Sequence, residues 1–357
     1  MSKKLLFLPG DGIGKEVSNE AFKLLNHINK KFNTEIEIIN EDVGGESIKK
    51  NGIPIKEEII NQLSSYDAVF LGAVGDPKYD RLPLDNRPEA GLLKIRKILN
   101  CFANLRPIWL PESLKKNVPI KDKYVEDGVD ILIIRELLNG LYFGPKGRKK
   151  LENGEYEAFD TALYSQSNVQ NVARLAFKYA SKRKKKLLSV DKSNILETSK
   201  LWREEVDKIS KEYPDIQLSH QLVDSTAMIL LLKPSTFDVI LMNNEFGDIL
   251  SDEAALLSGS IGMIPSAAIG LSKPYFYEPI HGSAPDIAGQ GIANPLGAIL
   301  TVGMIFEYSF EMDNISNEIR KAVEATLLQG FRTKEICGEG DTLLNTEQMG
   351  DKVIENL

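Results

Sequence analysis

Short apolar runs recur along this sequence, and each ends in a polar or glycine-rich turn. Lys3 to Leu8 stops at Pro9-Gly10-Asp11-Gly12-Ile13-Gly14, and Asp67-Ala68-Val69-Phe70-Leu71-Gly72-Ala73-Val74-Gly75 closes on a second glycine turn. Asp130 to Glu136, Leu187 to Lys192 and Phe237 to Met242 have the same form. Runs of this length with turn residues at their ends read as strands buried on both faces. Ile13, Val17, Ala21, Leu24, Leu25 and Ile28 then line one side of a helix. Strand, helix, strand in that order requires a parallel or mixed α/β sheet.

The last of these runs leads into Asn243-Asn244-Glu245-Phe246-Gly247-Asp248-Ile249-Leu250-Ser251-Asp252-Glu253. Asp248 and Asp252 are four apart, so they share one face of a helix, a turn from each other. Two carboxylates stacked in this way repel unless a cation lies between them. A hard divalent ion such as Mg²⁺ or Mn²⁺ suits oxygen donors at the end of a buried strand. The same acids could also simply complement the positive end of the helix dipole.

Arg96, Arg106 and Arg135 all fall at or near the ends of apolar elements. Arginine is seldom buried without an anionic partner, and its fork binds carboxylates through paired hydrogen bonds. Three of them suggest a small polycarboxylate ligand, although each one alone reads equally well as a structural ion pair. The polar loop from Asp76 to Pro88 has the length of a functional or mobile segment. The glycines at 10, 12 and 14 lack the third glycine of a dinucleotide fingerprint, so a Rossmann reading is weak. A tight turn that brings backbone close to a ligand or a neighbouring segment fits them better.

Composition removes several function classes. The chain has 357 residues, enough for two domains or one large α/β unit, and a net charge of −7 that argues against a nucleic-acid surface. The basic run Lys182 to Lys186 reads as a solvated face. Cys101 and Cys337 lie far apart without metal-ligand spacing, as expected in a reducing compartment. The apolar start at Leu5 is too short for a signal peptide, and the uncharged stretch from Ile287 to Phe306 carries glycines, Asn294 and Pro295. It reads as a loop and a buried helix, so no membrane span and a cytoplasmic location are expected.

Taken together, Leu8 to Gly14, Asn104-Leu105-Arg106-Pro107, Val190-Asp191-Lys192-Ser193-Asn194, Asn244 to Asp252 and His281 to Gly289 resemble the β-decarboxylating dehydrogenases. This is the family of isocitrate and isopropylmalate dehydrogenases, and the resemblance runs from Leu8 to about Phe310. It implies the family's own two-domain α/β fold with a mixed central sheet, not a Rossmann fold. Residues 1–101 with 259–357 would form the first, cofactor-side domain. Residues 102–258 would form the second, with a protruding arm at about 145–165.

The resemblance also implies roles. Arg96, Arg106 and Arg135 would clamp two substrate carboxylates. Asp224, Asp248 and Asp252 would hold Mg²⁺ or Mn²⁺, with Asp224 also touching substrate. Lys192 would take the proton of the substrate hydroxyl, and Tyr142 would protonate the enol of the product. Within the family the segment Arg87 to Arg96 is similar to the isopropylmalate branch. There Leu92 and Leu93 would face an isopropyl group, where the isocitrate branch carries serine and asparagine; otherwise the two leucines are ordinary helix-core residues. A site built in this way leaves an extra carboxylate desolvated.

Ile13, the loop His281-Gly282-Ser283-Ala284-Pro285-Asp286-Ile287 and Asn294 would bind the adenosine part of the cofactor. Asp286 would accept hydrogen bonds from ribose hydroxyls and repel a 2′-phosphate, which favours NAD over NADP. The implied activity is oxidative decarboxylation of (2R,3S)-3-isopropylmalate to 4-methyl-2-oxopentanoate and CO₂ in leucine biosynthesis. A homodimer is implied, with Asp224 and Lys192 supplied across the interface. The alternatives are a sister enzyme acting on D-malate, tartrate or homoisocitrate, and a non-catalytic regulatory subunit. Lys15, Ser225, Thr226 and the segment Gly144-Pro145-Lys146-Gly147 depart from the family pattern without removing a catalytic group.

Overall fold

The computed structural model of the chain describes residues 2–357. Its contacts fall into two compact units. The first comprises Met1–Cys101, Leu110–Asp122 and Ala255–Leu357; the second comprises Phe102–Trp109 and Lys123–Ala254. Residues 110–122 and 255–258, expected in the second domain, therefore belong to the first unit. The reason is local. Asn117 donates to the Ile336 carbonyl and to Asp341 at 2.8 Å, Arg332 donates to the Ser113 carbonyl, and Leu114 is fully buried.

In the first unit the strands Glu37–Asn40, Lys4–Gly10, Ala68–Ala73 and Tyr275–Pro279 lie side by side and parallel, and Pro265–Ile269 runs antiparallel to the last. Leu5, Leu6, Phe7 and Leu8 are buried without alternation, as a strand covered on both faces requires. Phe7 stacks on Phe70 with centroids 4.5 Å apart. The helix Gly14–Phe32 lays Val17, Ala21, Leu24, Leu25 and Ile28 against this sheet. Val17, Leu24, Leu25 and Ile28 each contribute about 1.5–3 kcal/mol of burial. The uncharged stretch becomes the helix Leu296–Tyr308, which is buried on nearly every side and packs against Gly14–Phe32 and Asp313–Leu328. Among the described residues no helix is long and apolar enough to cross a membrane.

In the second unit Ala103–Trp109 pairs antiparallel with Asp130–Glu136; Val239–Met242, Lys186–Asp191 and Gln217–Leu222 continue the sheet in parallel. The helices Gln166–Ser181 and Glu197–Ser210 pack on each other and on this sheet. Trp202 is buried between them and the strands, donating to Ser189 Oγ at 3.1 Å. Lys146–Lys150 and Tyr156–Asp160 form an exposed antiparallel hairpin. Each unit thus carries a mixed sheet flanked by helices.

The helix Glu57–Gln62 starts only after Pro54 and Ile55, which are held in the preceding bend. Ser165 and Asn168 form a reciprocal capping box at Gln166–Ser181. The hairpin strand ends at Asp160, and the small residues of Pro265–Ile269 form a buried strand.

Candidate active site

The acid pair lies where the sheet of the second unit ends. Val239–Met242 aligns Met242 with Arg135, and Asp130–Glu136 aligns Arg135 with Asn104. The chain then turns into the helix Asn244–Ala255, which carries Asp248 and Asp252. The helix passes close over the strand at Gly247, where a Cβ would stand 2.6 Å from Arg135 Cγ. A side chain at that position would push the helix off the arginine.

Both arginines are nearly buried and point their forks at the acids. Arg106 donates to Asn104 Oδ1 and to Ser251 Oγ at 2.6 Å each, and to Asp252 Oδ1 at 3.2 Å. Its other nitrogen lies 3.8 Å from Asp248. Arg135 pairs with Asp248 and donates to Asn244 Oδ1 at 2.7 Å. Tyr142 donates its hydroxyl to Asp248 Oδ2 at 3.0 Å, and its ring lies 5.8 Å from the Arg135 guanidinium. The arginine side chains are only 9% and 8% exposed, against 36% for Asp248 and 54% for Asp252. The result is a cationic floor under an acidic, solvent-facing rim. Burial raises the Asp252 carboxyl above its usual range; Arg106 opposes the shift and the neighbouring Asp248 charge adds to it. A carboxylate so placed gains from an added cation. Tyr142 is also raised, by burial first and then by Asp248, so its phenol stays protonated beyond its ordinary value of 10.0. On this account activity should not decline through Tyr142 between neutral pH and about pH 10, which a pH–rate profile checks.

A second cluster lies elsewhere in the same unit. Lys192, just past the strand Lys186–Asp191, donates its ammonium to Asp224 Oδ1 at 2.8 Å. Asp224 opens the helix Val223–Leu232, which was not expected from the sequence. Among the described residues no group of three metal-ligating side chains forms. One chain therefore joins Asp248 to Asp252, and Lys192 to Asp224, but does not bring the three aspartates together. Asp248 and Asp252 fit a hard divalent ion by their oxygen chemistry and their exposed rim.

The first unit holds the other expected residues. Arg96 lies in the last turn of the helix Pro88–Ile98, pairs with Glu278 and lies over the Phe276 ring. Gly91 and Ile95 form the buried side of that helix; Leu92 is half-buried and Leu93 is 44% exposed. The leucines are thus not ordinary core residues. Ile13 donates its backbone N–H to the Ser283 carbonyl at 2.8 Å, and Gly12 approaches Ser283 too closely for any Cβ. The glycine turn therefore abuts the 281–287 loop. His281 is buried and donates from Nδ1 to the Gly282 carbonyl at 3.0 Å, while its Nε2 has no partner among the described residues; burial holds its pKa below the usual histidine value. Asn294 caps Leu296 through Oδ1, and Asp286, Pro285 and Gly282 are exposed, with Ala284 and Ile287 part-exposed beside them. Sequence reasoning missed Asn104, Asn244, Ser251 and Glu278, which hold the arginines. Their only sequence signal is position: each lies within a few residues of an arginine or acid already singled out, or at a strand end.

The chain belongs to the isocitrate/isopropylmalate dehydrogenase family, whose model matches residues 4–353. Among solved structures it is similar to an isocitrate dehydrogenase from Methylococcus capsulatus, at 30% identity and a TM-score of 0.87 over 99% of both chains. A β-decarboxylating dehydrogenase from Thermococcus kodakarensis, in its apo form, gives 33% identity and a TM-score of 0.80, covering 99% of this chain and 96% of that one. Curated relatives are more similar. A 3-isopropylmalate dehydrogenase from Pseudomonas putida is 51% identical, covering 100% of this chain and 99% of the relative. One from Clostridium pasteurianum is 48% identical over 99% of each.

Proposed function

We propose that this chain catalyses the NAD-dependent oxidative decarboxylation of 3-isopropylmalate, the leucine-pathway reaction named by its relatives. The observation that carries this reading is the convergence of Arg106, Arg135, Tyr142, Asp248 and Asp252 at one sheet end. Buried guanidiniums would hold the carboxylates of a dicarboxylate substrate, and the exposed acids would hold a divalent cation beside it. Arg106, Arg135 and Arg96 bind and orient the substrate carboxylates; Arg96 does so by exchanging Glu278 for substrate. Leu92 and Leu93 cover the isopropyl group. Lys192 of a second copy accepts the hydroxyl proton at Nζ, and Tyr142 delivers a proton from its phenol to the enol carbon of the product. Asp248, Asp252 and the Asp224 of a second copy hold the ion. Bound Mg²⁺ or Mn²⁺ supplies Lewis acidity, and bound NAD⁺ supplies a hydride acceptor. The exposed Asp286, with Ile13, His281 to Ile287 and Asn294, receives the adenosine end. A chelator should abolish turnover and leave NAD⁺ binding, followed by protein fluorescence, within about twofold of its starting affinity. Turnover that survives exhaustive chelation contradicts this reading.

A homodimer with shared sites follows from the same reading. After Thr226, the helix Val223–Leu232 is apolar on every side, yet only Thr226 and Leu230 are buried in one chain. Met228 is 61% exposed and Ile249, on the acid-bearing helix, 60%. A helix of this character belongs against another apolar surface, and the divided metal ligands call for one as well. Met228→Glu combined with Ile249→Glu should yield monomers by sedimentation and lower activity on the order of 10²-fold or more, as a charge is driven into each face. A fully active monomer would refute the shared site.

A further inference from the structure

The two groups nearest Asp248 in the second unit, the Arg135 fork and the Tyr142 phenol, come from different pieces of chain. Arg135 is on a strand, and Tyr142 is on the turn that follows it. One buried side chain holds both. Asn244, 1% exposed, accepts from Arg135 Nη2 at 2.7 Å and from Nε at 3.2 Å through Oδ1. Its Nδ2 donates to the Asn139 carbonyl at 2.9 Å. The amide cannot be turned over. A guanidinium only donates and a carbonyl only accepts, so the flip would leave all three contacts mismatched. Its backbone takes part as well: the carbonyl accepts from Arg135 Nε at 3.0 Å, and the N–H donates to Tyr164 Oη at 3.0 Å.

The turn is gripped from its other side by Glu136. This buried carboxylate accepts from the Leu138 and Asn139 N–H groups at 2.9 and 3.1 Å and from Asn139 Nδ2 at 2.6 Å. Tyr164 closes the remaining side, because a Cβ on Gly140 would lie 2.3 Å from its hydroxyl. We infer that Asn244 is a positioning residue that locks the Arg135 fork and the Tyr142 turn into one rigid piece. The phenol then meets the reacting carbon in fixed relation to the carboxylate that Arg135 binds. The inference rests on Tyr142 acting as the proton donor of the proposed reaction. Misplacing a donor by about an ångström costs on the order of 10²-fold, so a tether of this kind changes rate more than stability.

The test is a double-mutant cycle on the full-length enzyme. Asn244→Ser should lower kcat on the order of 10- to 100-fold in the wild-type background, and by no more than about threefold once Tyr142→Phe has removed the donor. Equal factors in both backgrounds would show a merely structural role and overturn the inference. Glu136→Gln loosens the same turn through the Leu138 and Asn139 N–H groups and should give the same non-additivity; it decides the matter if the Asn244 variant does not fold. Amide exchange adds a readout independent of turnover. The 138–144 segment should exchange faster in Asn244→Ser, with the rest of the second unit unchanged; unchanged exchange there counts against the tether. If the wild type turns over no 2-hydroxy acid, the functional reading has failed, and the exchange result alone judges the tether.

Discussion

Lys192→Met is expected to lower kcat about 10²- to 10⁴-fold, the range for losing a positioned acid–base group, while the protein remains folded. Lys192 follows a strand whose last residues are buried, so the backbone that aims it does not depend on its own charge. Its ion pair among the described residues is with Asp224, at 2.8 Å, and that side chain is 63% exposed. The hydrogen bond from Lys192 holds the Asp224 carboxyl below its usual range. A depressed acid stabilises the fold above its unfolded pKa, and that support is lost as pH falls through the folded value. The pair's contribution is therefore fully present at neutral pH and disappears in the variant, but an ion pair this exposed to solvent is worth little, so the fold persists. Two measurements check this: kcat with saturating 3-isopropylmalate, and the Asp224 carboxyl titration by NMR, which should move up in the variant. A variant retaining a tenth of wild-type turnover would remove Lys192 from the chemistry.

Asp248→Asn is expected to be as damaging for a different reason. Asp248 contacts both Arg135 and Tyr142, and it also lies within 3.8 Å of Arg106. The amide can still accept from Tyr142, but it cannot balance two guanidiniums that are nearly out of water. Breaking a buried pair costs about 3–5 kcal/mol. Because the Asp248 side chain is 36% exposed, solvent screens part of that, and about 1–3 kcal/mol is expected. Activity should fall on the order of 10³-fold, since a ligand of the divalent ion and the partner of a substrate arginine go together. Thermal unfolding and kcat measured side by side test both halves. Loss of stability without loss of activity would make the acid pair a structural device.

The contrast between these residues and Asn244 shows what the sequence made legible. Asp248 and Asp252 stood out because a four-residue spacing on a helix has one geometry. Arg106 and Arg135 stood out because a charge at the end of an apolar run is costly without a partner. Strands such as Ala68–Ala73 and Asp130–Glu136 were visible for the same reason, as unbroken apolar runs. Gln217–Leu222 was not, because an edge strand with one wet face reads as polar, and Val223–Leu232 was not, because its apolar character has no period to mark a buried side. Asn244, Asn104 and Glu278 act only through partners distant in sequence. An asparagine beside a guanidinium carries no local pattern, and its donor and acceptor ends acquire meaning only once the fold brings Arg135 and the Asn139 carbonyl to them. The pairing of Arg96 with Glu278 belongs to the same class: the arginine was visible, and what it waits on was not.

The central claim is the substrate, and initial rates of NAD⁺ reduction test it most directly. Purified protein with Mg²⁺ or Mn²⁺ should be assayed against 3-isopropylmalate, D-malate, isocitrate and homoisocitrate under identical conditions. The account predicts a kcat/KM for 3-isopropylmalate at least about 10²-fold above that for isocitrate, since the apolar side of Pro88–Ile98 leaves a third carboxylate unpaired. Preference for isocitrate or homoisocitrate, or no turnover with any of the four in the presence of metal, would contradict it.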